Sequence, residues 1–275
     1  MTSKNSNLLL GSLNRWLDCA GTVAIAASGG VDSTTLAIAA HRHLPGKCKV
    51  YHASSPAVPE MATNRLRVIA EAEGWQFEVI NAGEFEDPNY LKNPVNRCFF
   101  CKKNLYGTIA SLGVSEPTLL SGTNLDDMGD FRPGLQAAET FQVKHPYVEL
   151  GIDKASVRRM AEFLGYETLA ELPASPCLSS RIETGIPVDS GTLLLVDTVE
   201  QYVSSNLSPS IVRCRIRGLG LVVELDDKCL SRLRSSQRTA LGKEIKRMAS
   251  ESGVDFPIEF ASYRQGSAFV HGEEK

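Results

Sequence analysis

Val23-Ala24-Ile25-Ala26-Ala27-Ser28-Gly29-Gly30-Val31-Asp32-Ser33 decides how the chain is read. Its first five residues are a short apolar run, the pattern of a buried strand. From Asp32 to His43 the apolar spacing turns helical, with Leu36, Ile38 and the Ala39-Ala40 pair as core contacts. The glycines between strand and helix let the backbone turn tightly and approach a ligand with no Cβ in the way. The helix N-terminus then offers unpaired N–H groups and positive dipole character to an anion. Ser28 and Ser33 add hydroxyl donors, and Asp32 suits a magnesium ion or the fixing of the turn. This is not a Walker A loop, because GxxxxGK[ST] occurs nowhere in the chain.

Outward from this turn, strands and helices alternate. Lys49–Ala53 reads as a second strand, and Pro59 opens a helix that glycine ends at Gly74. Gln76–Ile80 reads as a third strand, and Glu84–Asn96 as a loop rich in Asp, Asn and Pro. A helix is expected over Cys101–Leu112, a fourth strand over Thr118–Ser121 and a fifth over Lys144–Tyr147. Asp153–Leu164 is expected to be helical, with Asp153 as N-cap and Gly165 at the stop. The alternation implies an α/β fold with a parallel sheet covered on both faces. Ligands of such sheets bind beyond the carboxyl ends of the strands, here from Ser28, Ser54 and Ser121 onward.

The run Glu171–Val188, ELPASPCLSSRIETGIPV, breaks the alternation with three prolines. The expected division is 1–172 for the nucleotide-binding domain, 173–188 for a linker carrying Cys177, and 189–275 for a smaller α+β domain. In that domain Asp189–Asn206 reads as a helix. Val212, Cys214 and Ile216 alternate with Arg213, Arg215 and Arg217 along one strand. Leu219–Leu225 pairs with it through Gly218, Asp226–Ser252 is mostly helix, and Ile258–Tyr263 is a last strand.

The 275 residues, 22% charged and 43% hydrophobic, suffice for a real core and exclude disordered, collagen-like and coiled-coil chains. A net charge of −3 carries no global signature of nucleic-acid binding. No stretch approaches a membrane span and no secretory segment opens the chain, so a cytoplasmic protein is expected. Homo-oligomerisation is left open. Seven cysteines cannot all pair, which favours free thiols, metal ligands or reactive sulfur.

Three further groups carry chemistry. Ser121-Gly122-Thr123-Asn124-Leu125-Asp126-Asp127 follows the fourth strand, and its adjacent carboxylates suit solvent or a metal. Cys98 and Cys101 form a C-x-x-C whose sulfurs share one helix face, a pattern open to zinc, an iron–sulfur cluster, thiol redox or packing. Cys177 lies in a proline-bounded loop, where a ligating or reactive role is favoured. Three thiolates can hold a [4Fe–4S] cluster and leave one iron open. Zinc would need a fourth ligand, for which His145 is nearest in kind. Cys19, Cys48, Cys214 and Cys229 are expected to pack as small hydrophobes. Arg213, Arg215 and Arg217, with Arg181 and Arg264 on loops and Glu200 and Glu224 nearby, could hold a phosphate or carboxylate or form a solvated face. The six basic residues between Arg232 and Arg247 read as an exposed helix face rather than an RNA site.

SGGVDS matches the PP-loop motif of ATP pyrophosphatases, and SGTNLDD resembles a second segment of those enzymes. The ordered set SGGVDS, RCFFCKKNLY, SGTNLDDMGDFRPG, PCLSSRI and VRCRIRG resembles the LarE family over about residues 10–268. Asp130-Phe131-Arg132-Pro133-Gly134 and Pro176-Cys177-Leu178-Ser179-Ser180-Arg181 are its most specific parts. The resemblance implies a Rossmann-like fold of the adenine nucleotide alpha hydrolase type. It implies an ATP-dependent sulfur transferase of nickel-pincer nucleotide biosynthesis acting on a small nucleotide, pyridinium-3,5-biscarboxylic acid mononucleotide. ATP would adenylate a substrate carboxylate, pyrophosphate would leave, and sulfur would displace AMP. ATP and magnesium would meet Ser28, Gly29, Gly30, Asp32, Ser33, Ser54, Gly122, Thr123 and Asp127. Cys98, Cys101 and Cys177 would ligate a [4Fe–4S] cluster supplied by a sulfur donor, with Cys177 and Asp32 as catalytic residues. Arg181, Glu200, Arg213, Arg215 and Glu224 would contact substrate or metal. The family's usual SRxPYGT is replaced here by Ser180-Arg181-Ile182-Glu183-Thr184-Gly185, without the aromatic. The alternatives are a PP-loop enzyme that thiolates tRNA, an amide-forming PP-loop ligase related to NAD or GMP synthetase, and a non-catalytic nucleotide- or metal-binding module.

Overall fold

The computed structural model describes residues 2–112, 117–129, 133–253 and 257–269. The chain runs α1 (Thr2–Ala20), β1 (Val23–Ala26), α2 (Val31–His43), β2 (Cys48–Ala53), α3 (Glu60–Glu73) and β3 (Gln76–Ile80), then the single turn α4 (Pro88–Leu91). It continues with α5 (Arg97–Leu112), β4 (Thr118–Ser121), α6 (Pro133–Thr140), α7 (Pro146–Glu149), α8 (Lys154–Phe163) and α9 (Glu167–Ala170). The last stretch holds α10 (Ser190–Leu207), β5 (Val212–Arg217), β6 (Gly220–Leu225), α11 (Asp227–Arg232), α12 (Ser235–Glu251) and β7 (Ile258–Ser262).

These elements form two compact units. One comprises the chain to Glu84 together with Cys98–Ser175, the other Phe85–Arg97 together with the chain from Pro176 onward. The first is α/β, with an all-parallel sheet in the order β3-β2-β1-β4. Successive residues of β1 point to opposite faces, so its side chains serve two cores. Val23 and Ile25 join Leu13, Leu17, Leu36, Ile38, Val157 and Met160 on one side. Ala24 and Ala26 meet Leu105, Tyr106, Ile109 and Ala137 on the other. The second unit has a mixed sheet in which β5 and β6 are antiparallel and β6 and β7 parallel. Val212, Cys214, Ile216, Val223 and Leu225 are buried, and α10 and α12 pack on this sheet.

Several expectations need correction. Lys144–Tyr147 is not a strand: a single bridge joins Lys144 to Leu120, and Pro146 starts α7. Proline has no N–H for a ladder and suits the first turn of a helix. α5 begins at Arg97, which puts both C-x-x-C cysteines in its first turns. The stretch 226–252 is mostly helix, as expected, in two pieces parted by extended backbone at Leu233 and Arg234. The Asp/Asn/Pro-rich loop contains α4 and packs in the second unit, as does 178–188 of the expected linker. The N-terminal helix α1 was not anticipated, although Leu13 and Leu17 are wholly buried. No described helix is long and apolar enough to cross a membrane.

Candidate active site

In the first unit the turn after β1 closes on itself. Ser28 N donates to Ser33 Oγ at 3.0 Å, and the two serine hydroxyls lie 3.2 Å apart. Gly29 has φ +79°, and a Cβ there would stand 2.7 Å from Ala62 O, so both conformation and space demand glycine. Arg65 Nη1, from α3, donates to Gly29 O at 2.7 Å. His52 ties the same edge together: its Nδ1 lies 2.8 Å from Ala27 O and its Nε2 2.9 Å from Thr63 Oγ1. Burial lowers the His52 pKa, and these partners suit a neutral ring with the proton on Nδ1.

The loop after β4 seats directly against this turn. A Cβ on Gly122 would lie 2.5 Å from Ser33 N and 2.6 Å from its Cα. Asn124 reaches across: its Nδ2 donates to Asp32 Oδ1 at 3.2 Å, while its N–H is accepted by Asp127 Oδ2 at 3.0 Å. Thr123 Oγ1 lies 2.9 Å from Ser121 Oγ, which also meets His145 Nδ1 at 2.7 Å. His145 is thus part of this loop; burial lowers its pKa, with Lys102 acting in the same sense and Glu149 and Asp127 opposing. Ser54 follows β2, its N–H bonded to Ile80 O.

Lys154 is the residue that the sequence reading missed. Its Nζ pairs with Asp32 Oδ2, and its backbone N–H donates to Asp126 Oδ2 at 3.0 Å. A lysine at the first residue of a helix opposes the helix dipole. That misfit, two residues after Ile152 in a segment with an Asp N-cap, was the available signal. Asp32 therefore has one carboxylate oxygen on Asn124 and the other on Lys154. Magnesium usually takes only one or two carboxylates, completing its shell with phosphate oxygens and water, so Asp32 with Asp127 nearby fits it.

The first turns of α5 present Cys98, exposed, and Cys101, half-buried. Gly134 packs on this helix, its Cβ position 3.1 Å from Lys102 Cγ and 3.7 Å from Cys98 O. Asp130, Phe131 and Arg132 of the same motif lie outside the described residues. Two thiols a helical turn apart and near the surface fit two ligand positions of a cluster or metal. The third, Cys177, is exposed in the second unit. Among the described residues no three His, Cys, Asp or Glu side chains gather to hold a metal ion. Cys48 and Cys214 are buried and Cys229 half-buried, but Cys19 is exposed on α1 rather than packed.

In the second unit the charged face of β5–β6 turns inward. Arg181, 2% exposed, clamps Glu200 with Nε and Nη2 at 2.9 and 3.1 Å. Arg215 pairs with Glu224 at 3.0 Å and donates to Ser180 O at 2.9 Å. Glu224 also accepts from Arg217 and Ser267, at 2.8 and 2.7 Å. Arg181, Arg215, Glu200 and Glu224, expected as substrate contacts, are thus turned to one another and to backbone. Buried guanidinium and carboxylate groups must be paired, and here the pairing is internal. Arg213 is half-buried, its guanidinium 5.9 Å from the Tyr263 ring centre. Burial and neighbouring Arg181 lower its pKa. A 580 Å³ cavity opens on this side of the sheet, lined by Arg217, Glu224, Glu259, Arg264, Ser267 and Phe269 among others.

No family model matches the chain. Over 97% of its length, and 97% of the relative's, it is 32% identical to the uncharacterized protein slr1717 of Synechocystis sp.. It is 26% identical to the uncharacterized protein MJ0830 of Methanocaldococcus jannaschii, over 74% of this chain and 78% of that one. It is 25% identical to the pyridinium-3,5-bisthiocarboxylic acid mononucleotide synthase of Lactiplantibacillus plantarum, over 69% of each. The match to slr1717 is nearly end to end at 32% identity, and the chain belongs to the same family as that Synechocystis protein.

Proposed function

We propose that this protein is an ATP-dependent sulfur transferase of the LarE type, converting a carboxylate of pyridinium-3,5-biscarboxylic acid mononucleotide into a thiocarboxylate. The observation that carries this reading is the turn Ser28–Ser33 locked against Gly122, with Asp32 between Asn124 and Lys154. The name of the Lactiplantibacillus relative supports the substrate class.

A carboxylate is a poor electrophile until its oxygen carries a good leaving group. In the proposed first step a substrate carboxylate oxygen attacks the α-phosphorus of ATP, the α–β phosphoanhydride bond breaks, and pyrophosphate leaves with the electron pair. The N–H groups at Gly30 and the start of α2 face the charge that develops on pyrophosphate, as fixed donors in an anion hole do. Magnesium at Asp32 would neutralise phosphate oxygens. Lys154, paired with Asp32, would bring a second cation to the same phosphates. A sulfur nucleophile then attacks the acyl carbonyl, and AMP departs with the carbon–oxygen bonding pair.

Cys98, Cys101 and Cys177 are proposed as the sulfur-delivering thiols. A [4Fe–4S] cluster bound to them would supply an open iron for sulfide.

The test is pyrophosphate release and thiocarboxylate formation by the anaerobically purified protein given ATP, magnesium, sulfide and the biscarboxylic nucleotide. Wild type is expected to give both. Asp32→Asn should abolish pyrophosphate release, and Lys154→Met should slow it about 10²-fold, the scale for removing one aligned charge-stabilising group. Pyrophosphate release that requires ammonia, or tRNA, and not this nucleotide would replace the proposal with a ligase or an RNA-thiolating enzyme. Colour and iron lost in Cys98→Ser or Cys101→Ser would support the cluster; stoichiometric zinc in a colourless protein would overturn it.

A further inference from the structure

We infer that Arg181 and Glu200 are positioning residues that fix the Cys177 loop, and that neither touches the substrate. The inference rests on the sulfur-transfer reading for its purpose, but its geometry stands within the second unit alone. Arg181 Nη1 donates to three acceptors at the front of its own loop: Pro176 O at 2.5 Å, Cys177 O at 3.0 Å and Ser180 Oγ at 3.1 Å. The rest of the guanidinium is bound to Glu200, whose Oε1 also accepts the Cys214 N–H of β5 at 2.9 Å. A continuous path therefore runs from the Cys177 carbonyl, through a planar guanidinium and a carboxylate, to the backbone of a sheet strand. Two further anchors hold the 3-10 turn Leu178–Arg181 that follows Cys177. Tyr90 OH meets Ser179 Oγ at 2.7 Å, both buried, and Arg215 grips Ser180 O.

The Cys177 residue itself is exposed while the backbone on which it stands is fastened from three sides. That combination suits a group that must meet an external electrophile or share a metal centre in one orientation. Effective molarity depends on such pre-set geometry. Stability alone does not call for this pair. Replacing a buried ion pair with apolar side chains of similar volume is often neutral or stabilising, because both charges lose their water. What Met and Leu could not supply is the fork of N–H donors onto the carbonyls of residues 176 and 177. A substrate-binding arginine would instead keep donors directed at solvent, and this one is 2% exposed.

The experiment compares wild type with Arg181→Met/Glu200→Leu. Three quantities are read: amide hydrogen exchange in the peptide covering 176–183, pyrophosphate release with its KM for the biscarboxylic nucleotide, and thiocarboxylate formed per pyrophosphate. In the double variant, exchange in 176–183 should rise about tenfold while β1–β4 remain as protected as before. Pyrophosphate release and the substrate KM should stay within about twofold, and thiocarboxylate per pyrophosphate should fall about 10²-fold, the scale of a misplaced reacting group. A rise of about tenfold or more in the substrate KM would make these residues substrate contacts and overturn the inference. Unchanged exchange in 176–183 would overturn it as well. If wild type releases no pyrophosphate with this nucleotide, the functional reading fails and the exchange comparison still decides the role of the pair. Should the double variant not fold, Glu200→Gln serves the same comparison. Its amide oxygen can still accept from Arg181 Nε and Cys214 N but leaves Nη2 without a carboxylate. A rate of thiocarboxylate formation equal to wild type, with unchanged exchange, would count against the inference there too.

Discussion

At the turn Ser28–Ser33, the proposed phosphate cradle, the working groups are backbone. Gly122 brings the loop after β4 against the turn and Gly29 seats the turn on Ala62 of α3, while Ser28 meets Ser33 and the half-exposed Asp32 meets Lys154 and the buried Asn124. On the inner face of β5–β6 the working groups are long charged side chains, buried, each with several partners. The first region can exchange its internal bonds for a ligand's at little cost. The second cannot, because any guanidinium released there would be a buried charge without a partner. On the proposed function, a cleft that would open to a nucleotide and a scaffold that stays fixed are built from different chemistry in one chain.

Stability measurements separate the two regions, and the largest effect is expected in the second. Glu224→Leu leaves the buried Arg215 without its carboxylate and should cost about 3–5 kcal/mol by chemical denaturation. Arg215→Met/Glu224→Leu, which removes both buried partners, should recover most of that loss. Equal losses in the single and double variants would mean that packing, not pairing, holds this face.

A smaller effect is expected at the turn. Gly122→Ala sets a methyl against the backbone of Asp32 and Ser33, which cannot swing aside, and should cost about 1–3 kcal/mol and end pyrophosphate release. Gly30→Ala is the sharper probe of the comparison. A Cβ there meets only Ser28 Oγ, at 3.5 Å, so stability should move by no more than about 0.5 kcal/mol while ATP affinity falls. Loss of stability in Gly30→Ala comparable to that in Gly122→Ala would show that the cradle is as tightly packed as the loop behind it.

The contrast also explains what could be read from sequence. The phosphate turn was legible because strand, glycines and helix start are contiguous, and Asp153 capping α8 by accepting from Ser156 N at 2.7 Å is equally local. Lys154 was not, because its meaning comes from Asp32, far away in the chain. The alternation in β5 correctly separated Arg213, Arg215 and Arg217 from the apolar positions. A period of two says which side a residue faces, however, and not what covers that side. Glu224 on β6 and Ser180 on the loop cover it here. The same holds for Asn93. In a stretch whose composition reads as loop, it takes φ +53° and, wholly buried, donates to Glu183 O and Ile186 O at 2.8 Å each. Helix α1 was open to reading, since Leu9, Leu13, Trp16, Leu17 and Ala20 recur at helical spacing.

The last prediction concerns acid. His52 is 1% exposed, and burial, helped by the nearby cation Arg67, lowers its pKa in the folded chain against the opposing pull of the bond to Ala27 O. In the unfolded chain it titrates near the ordinary value of about 6.5. Between that value and its lowered folded pKa the unfolded state binds the extra proton, so stability is complete above about pH 6.5 and declines as pH falls through the window below it. His52→Gln keeps a donor for Ala27 O and should cost about 1 kcal/mol at pH 7.5, the worth of one ordinary hydrogen bond. The variant should then lose less stability than wild type on going to pH 5. His145, whose pKa is also lowered, is present in both proteins, so the difference between the two curves belongs to His52. Parallel melting curves from pH 7.5 to 5 would show that the ring takes up its proton without leaving Ala27 and Thr63. In that case the edge of the phosphate turn is as yielding as its mouth, and the division between an exchangeable cleft and a fixed frame would have to be drawn beyond β2.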